Sequence, residues 1–396
     1  MRKKNSTGGN AGRNRSHNKR VVLNFVRAND PSGRAEIARS CQLSIQAVSN
    51  ITEVLEEDGL LLAIGQKTGM RGKPATQYTL NPEGAFATGI EVRPDALICA
   101  VLNLKGDCVY SEIQAFADAS PDKAIPVITK MVDSAIKSCN RKRNQLLGAG
   151  IVMPGPFGVS GLSALGGANL PNWDGIDIQT AFEKALGCPV IIENDATAAA
   201  IAERVTGEAT TIDTFCFVYF GTGLGLGVIA DGHALRGVFG NFGEIGHIIT
   251  QNGGNQCACG NQGCLETYAS RMSVKTHLEK IGIELLDEFT LVQLLNDGNP
   301  DLLDWIKTAA QHLSQAISIL ENIFDPETII LGGAMPDAVM DTLIANLELP
   351  KGSLANRNDR TFARVLRGSS GRFTAAIGGA AMIVHKTTTP SMALFS

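Results

Sequence analysis

Residues 244–266 read Glu-Ile-Gly-His-Ile-Ile-Thr-Gln-Asn-Gly-Gly-Asn-Gln-Cys-Ala-Cys-Gly-Asn-Gln-Gly-Cys-Leu-Glu. Three of the chain's nine cysteines, Cys257, Cys259 and Cys264, fall within eight positions here, and His247 lies ten residues upstream of the first. Three thiolates and one imidazole are a common ligand set for a tetrahedral structural zinc ion, Zn2+. Two carboxylates, Glu244 and Glu266, bracket the cluster. The other cysteines, Cys41, Cys99, Cys108, Cys139, Cys188 and Cys216, stand singly among apolar residues, as small buried hydrophobes do. The clustered three sit among Gly, Asn and Gln, a loop composition that gives them no packing reason. The chain begins with a basic, polar stretch where a signal peptide would be apolar. A cytoplasmic protein is therefore expected, and its thiols would stay reduced, which argues against a disulfide.

A length of 396 residues predicts two or three domains. Hydrophobic content of 44% with 19% charge describes an ordinary globular protein. No apolar run approaches the ~18 residues of a membrane span, so no membrane partner is expected. The net charge of −4 hides an asymmetry. Residues 1–80 hold 13 basic and 6 acidic side chains, for +7, and the remainder holds 22 and 33, for −11. A basic module joined to an acidic body points to a polyanion as partner of the first.

Within the basic module, residues 1–16 read as a flexible arm. Val21, Val22, Phe25 and Val26 then form one face of a helix. A break at residues 29–33 precedes a short helix over 34–40, with Ala35, Ile37 and Ala38 inward. Ser44 can cap a third helix running to Asp58, whose apolar face is Val48, Ile51, Val54 and Leu55; Gly59 stops it. Two strands, 60–64 and 77–80, flank the turn Arg71-Gly72-Lys73-Pro74. This is the pattern of a winged helix-turn-helix over 17–82, whose third helix would enter the major groove of double-stranded DNA. Ser44, Gln46, Ala47, Ser49 and Asn50, with Ile45 beside them, are the exposed early residues of that helix. Gln46 and Asn50 suit adenine, and Arg71 and Lys73 suit phosphate or the minor groove. A winged helix used for protein contacts is the blander alternative.

The body alternates strands and helices. Strands are expected at 85–92, 96–103, 108–115, 147–153, 190–193, 214–219, 224–230 and 328–331, and helices at 121–138, 176–186, 196–205 and 303–323. Two βββαβαβα-like halves around a cleft make a two-lobed actin/ribonuclease-H-like α/β fold. The expected lobes are 83–195, completed by 376–396, and 196–375, which carries the zinc site. The run Phe220-Gly221-Thr222-Gly223-Leu224-Gly225-Leu226-Gly227 joins two strands; its glycines could cradle a phosphate or merely allow close packing. Asp195, after a buried strand and at the start of a helix, could be a general base toward a sugar hydroxyl or serve, with Asn194, as a helix cap.

Together these pieces resemble the ROK family of sugar-responsive repressors and sugar kinases. The resemblance is carried by Glu244-x-x-His247, by Cys257-x-Cys259-Gly260-x-x-Gly263-Cys264-x-Glu266, and by Val152-Met153-Pro154-Gly155, Asn169-Leu170-Pro171-Asn172-Trp173 and Glu193-Asn194-Asp195-Ala196. The winged helix, with its Arg-Gly-Lys-Pro wing, resembles the repressor branch. The resemblance implies zinc on His247, Cys257, Cys259 and Cys264. It implies a sugar pocket lined by Gly155, Asn169, Asn194, Asp195, Glu244, His247 and Glu266. His247 can serve both, because imidazole has two nitrogens.

Kinases of this family carry an Asp-x-Gly-Gly-Thr loop after the first strand of the body. Here residues 89–95 read Gly-Ile-Glu-Val-Arg-Pro-Asp, without either glycine of that loop or its threonine. Gly221, Thr222 and Gly223 then read as a vestigial phosphate loop, and Gly332-Gly333 as a remaining nucleotide-type turn. The expectation is a DNA-binding repressor of sugar-utilisation genes, a homodimer or tetramer with a sugar or amino sugar as effector and with no catalytic residue. The alternative is an ATP-dependent sugar kinase with a fused DNA-binding domain and Asp195 as its base. Control by a protein partner bound to the acidic body is a weaker third.

Overall fold

The computed structural model describes residues 11–67, 75–155, 170, 172–173, 175–238, 242–284, 288–352, 356–357 and 359–389. Arg71, Lys73 and Asn169, together with residues 1–10 of the expected arm, lie outside them.

The N-terminal head comprises α1 (Ala11–Ala28), β1 (Ser32–Gly33), α2 (Arg34–Ser40), α3 (Ile45–Glu57), β2 (Leu61–Lys67) and β3 (Ala75–Leu80). Its strands pair in the order β1-β3-β2. Three helices and this small sheet close over Val22, Leu23, Val26, Ile37, Val48, Ile51, Leu55, Leu61, Tyr78 and Leu80. Two details differ from the sequence reading. The first helix starts at Ala11, inside the stretch expected to be a flexible arm. Its first turns are basic and polar, so they carry no apolar spacing, yet long Arg and Lys side chains cost a helix little. Ala35 is exposed, and only Ile37 and Ala38 of α2 turn inward.

The body contains two sheets. The first is built from β4 (Phe86–Val92), β5 (Ala96–Asn103), β6 (Cys108–Ala115), β7 (Leu146–Val152) and β8 (Val190–Glu193). Helices α4 (Pro121–Ser138) and α5 (Ile178–Leu186) connect these strands, and α6 (Asp195–Thr206) follows them. The second sheet is built from β9 (Phe215–Phe220), β10 (Leu224–Ala230), β11 (His233–Ala234), β12 (Thr328–Gly333) and β13 (Val365–Ser370). Its helices are α7 (Arg271–Lys280), α8 (Glu288–Asn296), α9 (Pro300–Phe324), α10 (Asp337–Ala345) and α11 (Thr374–Thr388).

The strand orders are β6-β5-β4-β7-β8 and β11-β10-β9-β12-β13. Each sheet thus places its strands third, second, first, fourth, fifth, with the first antiparallel to the second and parallel to the fourth. This repeated topology is the actin/ribonuclease-H-like fold. β4 is buried along its whole length, as a central strand covered on both faces must be.

The two halves exchange their closing helices. α6 ends the first half but lies on β10 of the second sheet: a Cβ at Gly225 would stand 2.7 Å from the Ala196 Cβ, and one at Gly227 would stand 2.5 Å from the Ala196 carbonyl oxygen. α11 ends the second half but lies on β4 and β7: a Cβ at Gly89 would stand 1.8 Å from the Ala376 oxygen, and one at Gly150 would stand 2.0 Å from the Gly379 oxygen. The two helices meet where a Cβ at Gly378 would stand 2.3 Å from the Ala198 oxygen. Their core is accordingly made of small residues, Ala198, Ala199, Ala200, Ala380 and Ala381, around Phe217 and Tyr219.

Replacing Gly150 or Gly378 by valine overpacks this junction and is expected to cost about 3 kcal/mol or more. Gly352→Ala, at a position with open space around it, should leave stability unchanged. Urea unfolding of the three variants checks this; equal midpoints would contradict the packing described.

Candidate metal centre and interlobe cleft

Residues 244–266 fold into a compact loop on the second half. Short bridges pair Ile249 with Cys264 and Gln256 with Gln262, so both ends of the cysteine run are pinned. The Cys257 N–H donates to the Asn261 oxygen at 2.9 Å and the Gly260 N–H to the Cys257 oxygen at 3.1 Å. That turn needs φ of +91° at Gly260, and the next bend needs +81° at Gly263, where a Cβ would stand 1.6 Å from the Gln251 oxygen. The loop's glycines are therefore structural requirements of the knuckle that aims the thiols inward.

His247, Cys257, Cys259 and Cys264 converge, with all their ligand atoms within 4.8 Å of one another. His247 Nδ1 stands 3.6 Å from Cys257 Sγ, and Cys259 Sγ stands 3.6 Å from Cys264 Sγ. A tetrahedron with metal–sulfur bonds of ~2.3 Å and metal–nitrogen bonds of ~2.0 Å has edges of roughly 3.6–3.8 Å. The four residues thus have the composition and the spacing to hold one metal ion. Cys257 and Cys264 are buried, and the donor set is complete with four, as a structural rather than an open catalytic site requires.

The centre forms one wall of a cleft of about 1070 Å³ between the two sheets, floored by the start of α6. Gly155, Asn194, Asp195, Glu244, His247 and Glu266 all line it, as do Gly221, Thr222 and Gly223. Glu266 leans on the candidate metal ligands, with Oε1 3.1 Å from Cys257 Sγ and 3.5 Å from His247 Nδ1. Its other oxygen would stand 2.7 Å from a Cβ at Gly223, so this glycine makes room for the carboxylate. His247 turns Nδ1 to the thiols, while Nε2 faces Glu244 Oε2 at 3.8 Å.

Asn194 caps α6, its Oδ1 accepting from the Thr197 N–H at 2.7 Å. Its amide nitrogen makes no bond to the cap and is free to donate into the cleft. Asp195 accepts from the Ala196 N–H at 2.8 Å. Burial, with Glu244 adding to it, pushes the Asp195 carboxyl up to about 6, against the pull of the Ala196 N–H and Arg93.

The glycine run divides by role. Gly221 and Gly223 border the cleft beside Asp195 and Glu266, whereas Gly225 and Gly227 admit α6. Gly332 and Gly333 form the end of β12 rather than a free turn, closely packed on Phe217 and Phe220.

Sequence reasoning assigned no role to Glu91 and Arg93. In the altered loop Arg93 grips Glu91 through two bonds, Nε–Oε1 at 2.6 Å and Nη2–Oε2 at 3.0 Å. Arg93 Nη2 also donates to the Arg372 oxygen at 3.3 Å, joining the β4–β5 turn to the β13–α11 turn. The signal was present in Glu91-x-Arg93, two opposite charges two positions apart where β4 ends. In the head, Ser44 caps α3 by accepting from the Ala47 N–H at 3.1 Å. Gln46 and Asn50 are exposed, and Ala47 and Ser49 are half-buried.

Comparison with known proteins places this architecture. The model of the ROK family matches residues 87–387. The xylose repressor of Bacillus subtilis (strain 168) is 28% identical over 318 residues, which are 79% of this chain and 81% of that protein. The DNA-binding transcriptional dual regulator NagC of Escherichia coli (strain K12) is 26% identical over 333 residues, 81% of each. Among solved structures, a ROK family transcriptional regulator described as a homolog of the E. coli MLC protein superposes with a TM-score of 0.73 at 23% identity, covering 95% of this chain and 97% of that one. A ROK family glucokinase from Streptomyces griseus, solved with glucose and AMPPNP, superposes with a TM-score of 0.61 at 24% identity, covering 75% of this chain and 99% of its own. Among the described residues, no helix is long and apolar enough to cross a membrane. The family match spans most of the chain, and the chain belongs to the ROK family.

Proposed function

We propose that this chain is a sugar-responsive transcriptional repressor whose body binds a sugar beside a structural zinc ion. One juxtaposition carries the reading: a basic winged helix-turn-helix sits on a body whose cleft gathers Asn194, Asp195, Glu244, His247 and Glu266. Carboxylates, an amide and an imidazole match the paired donors and acceptors of vicinal hydroxyls. Relatives named for xylose and N-acetylglucosamine support a sugar as effector. Zinc would fix the orientation of His247 and Glu266 and take no part in chemistry.

The pocket and the head share α6. Asp195, its first residue, stands in the cleft. Arg204, in its last turn, is ion-paired with Asp213 at 2.7 Å and lies close enough to Arg27 of α1 to add to the burial that brings that guanidinium down to about 10. His385 of α11 lies beside these cations and is kept neutral, pushed down to about 3 by burial, then by Arg27 and His233. An ion pair, Lys105 to Asp30 at 2.8 Å, ties the head to the β5–β6 turn. A sugar that closes the cleft shifts α6 against α11 and so biases the head. It acts through its different affinities for the two arrangements. In a symmetric dimer this changes the spacing of two recognition helices on a pseudo-palindromic operator.

A second reading, a sugar kinase, is favoured by one observation: an Asp195 carboxyl near 6 suits a general base. The Glu91–Arg93 pair stands against it, because it fills the turn where the kinases of the family present glycines. ADP release measured across hexoses, pentoses and N-acetylhexosamines should stay at background; turnover abolished by Asp195→Asn would establish the kinase.

Fluorescence polarisation against a pool of random duplexes, then against the selected duplex with added xylose, glucose or N-acetylglucosamine, tests the leading reading. DNA binding is expected, with one sugar class changing affinity by about tenfold; no binding at any duplex at low salt would overturn it. Elemental analysis should find one zinc per chain, lost in Cys264→Ser, with sugar affinity falling about tenfold in step. Metal-free protein with unchanged sugar affinity would contradict the role given to zinc. Asp195 is a carboxylate above about pH 6 and then accepts from a sugar hydroxyl. Sugar affinity should therefore fall as pH drops through 6, and calorimetry on Asp195→Asn should show weaker binding without that slope.

A further inference from the structure

Ile45, the residue after the Ser44 cap, is 63% exposed. The buried face of α3 is formed by Val48, Ile51, Thr52 and Leu55, and Ile45 lies beyond its N-terminal edge. A lone exposed isoleucine needs no explanation on a protein surface. Its neighbours give this one a meaning. Gln46 Nε2 donates to Asn50 Oδ1 at 2.9 Å, an i,i+4 contact that orients both exposed amides. The pair keeps Gln46 Oε1 as an acceptor and Asn50 Nδ2 as a donor. Adenine offers the complement in the major groove, the N6 amino donor and the N7 acceptor, and thymine offers a methyl group at the same edge.

The charges on α3 decide which part of it approaches the bases. Glu53, Glu56 and Glu57 occupy its second half, neither its first nor its last turn carries a basic residue, and only Asp58 after them is compensated, by Lys19 at 2.9 Å. That acidic half is repelled by phosphates. The uncharged first two turns, with Ile45, Gln46 and Asn50, are the part that can enter a groove.

Resting on the repressor reading, we propose that Ile45 reads the C5 methyl of a thymine, next to an adenine held by the Gln46–Asn50 pair. Ile45 is thereby a specificity-determining residue of the head, and each half-site carries A·T sequence at that place.

The test uses the full chain and the tightest duplex selected from a random pool. Each thymine is replaced singly by deoxyuridine, which removes only the methyl. One position per half-site should lose about fourfold in affinity, the worth of one apolar carbon leaving its contact. Ile45→Ala, an exposed change that leaves the fold intact, should bind the thymine duplex about as weakly as the wild type binds the uracil duplex and show no further loss on uracil. Gln46→Ala should relax the preference for adenine beside that position while keeping the methyl effect. The proposal is overturned if no uracil substitution matters, or if Ile45→Ala keeps the same uracil sensitivity. A chain that binds no duplex at all overturns the repressor reading and takes this inference with it; a chain that binds without methyl dependence overturns this inference alone.

Discussion

The close approach of α6 and α11 is the constraint on which the rest of this molecule depends. A carbonyl of one helix occupies the space where a side chain of the other would begin, at Gly378 against Ala198. Contacts this short exist only between residues with almost no side chain, which explains the alanines of α6 and the alanines and glycines of α11. Because each helix also lies on the sheet of the opposite half, the two halves share one junction. Interiors this dense do not deform smoothly; they repack between discrete arrangements. A small displacement at one end of α6 must therefore appear at the other.

The ends of α6 are where function would be read. At the first, Asn194 spends its side-chain oxygen on the helix cap and Asp195 projects into the cleft. At the last, Arg204, ion-paired with Asp213, lies near Arg27 of the head and the neutral imidazole of His385. From Asp195 to Arg204 the helix rises about 13.5 Å. The opposite wall of the cleft is stiffened differently. Four side chains that could hold a metal ion, on a loop without long regular structure, lie beside Glu244 and Glu266. The pocket is thus made of one wall that can move with a helix and one that a metal would fix.

Much of this was legible in the residues, and the exceptions have physical reasons. The head was visible because Val48, Ile51 and Leu55 keep helical spacing and Ser44 and Gly59 mark the ends of α3. β1 was not, because two residues carry no pattern and gain their place only by pairing with Gln77 and Tyr78. α11 was foreseen only as a closing segment: its Thr-Ala-Ala-Ile-Gly-Gly-Ala-Ala sequence is buried on several sides and has no polar face to reveal a period. The cysteine loop announced by spacing the four side chains that converge into a candidate metal site. The glycines misled in part. A run such as Gly221–Gly227 reads the same whether it cradles a phosphate or admits a helix, and only the packing separates Gly221 and Gly223 from Gly225 and Gly227. Glu91 and Arg93 stand in a segment whose missing glycines are its plainest feature, and only the folded turn brings the two charges together as an ion pair.

Coupling between pocket and head is the central claim, and linkage makes it measurable from either side. If sugar alters the affinity for DNA, DNA must alter the affinity for sugar by the same factor. Calorimetric titration of the effector sugar into the free protein and into its saturated DNA complex measures this directly. The account expects the two sugar affinities to differ by at least about fivefold, matching the sugar-induced change in DNA affinity. Equal sugar affinities in the presence and absence of DNA would contradict it.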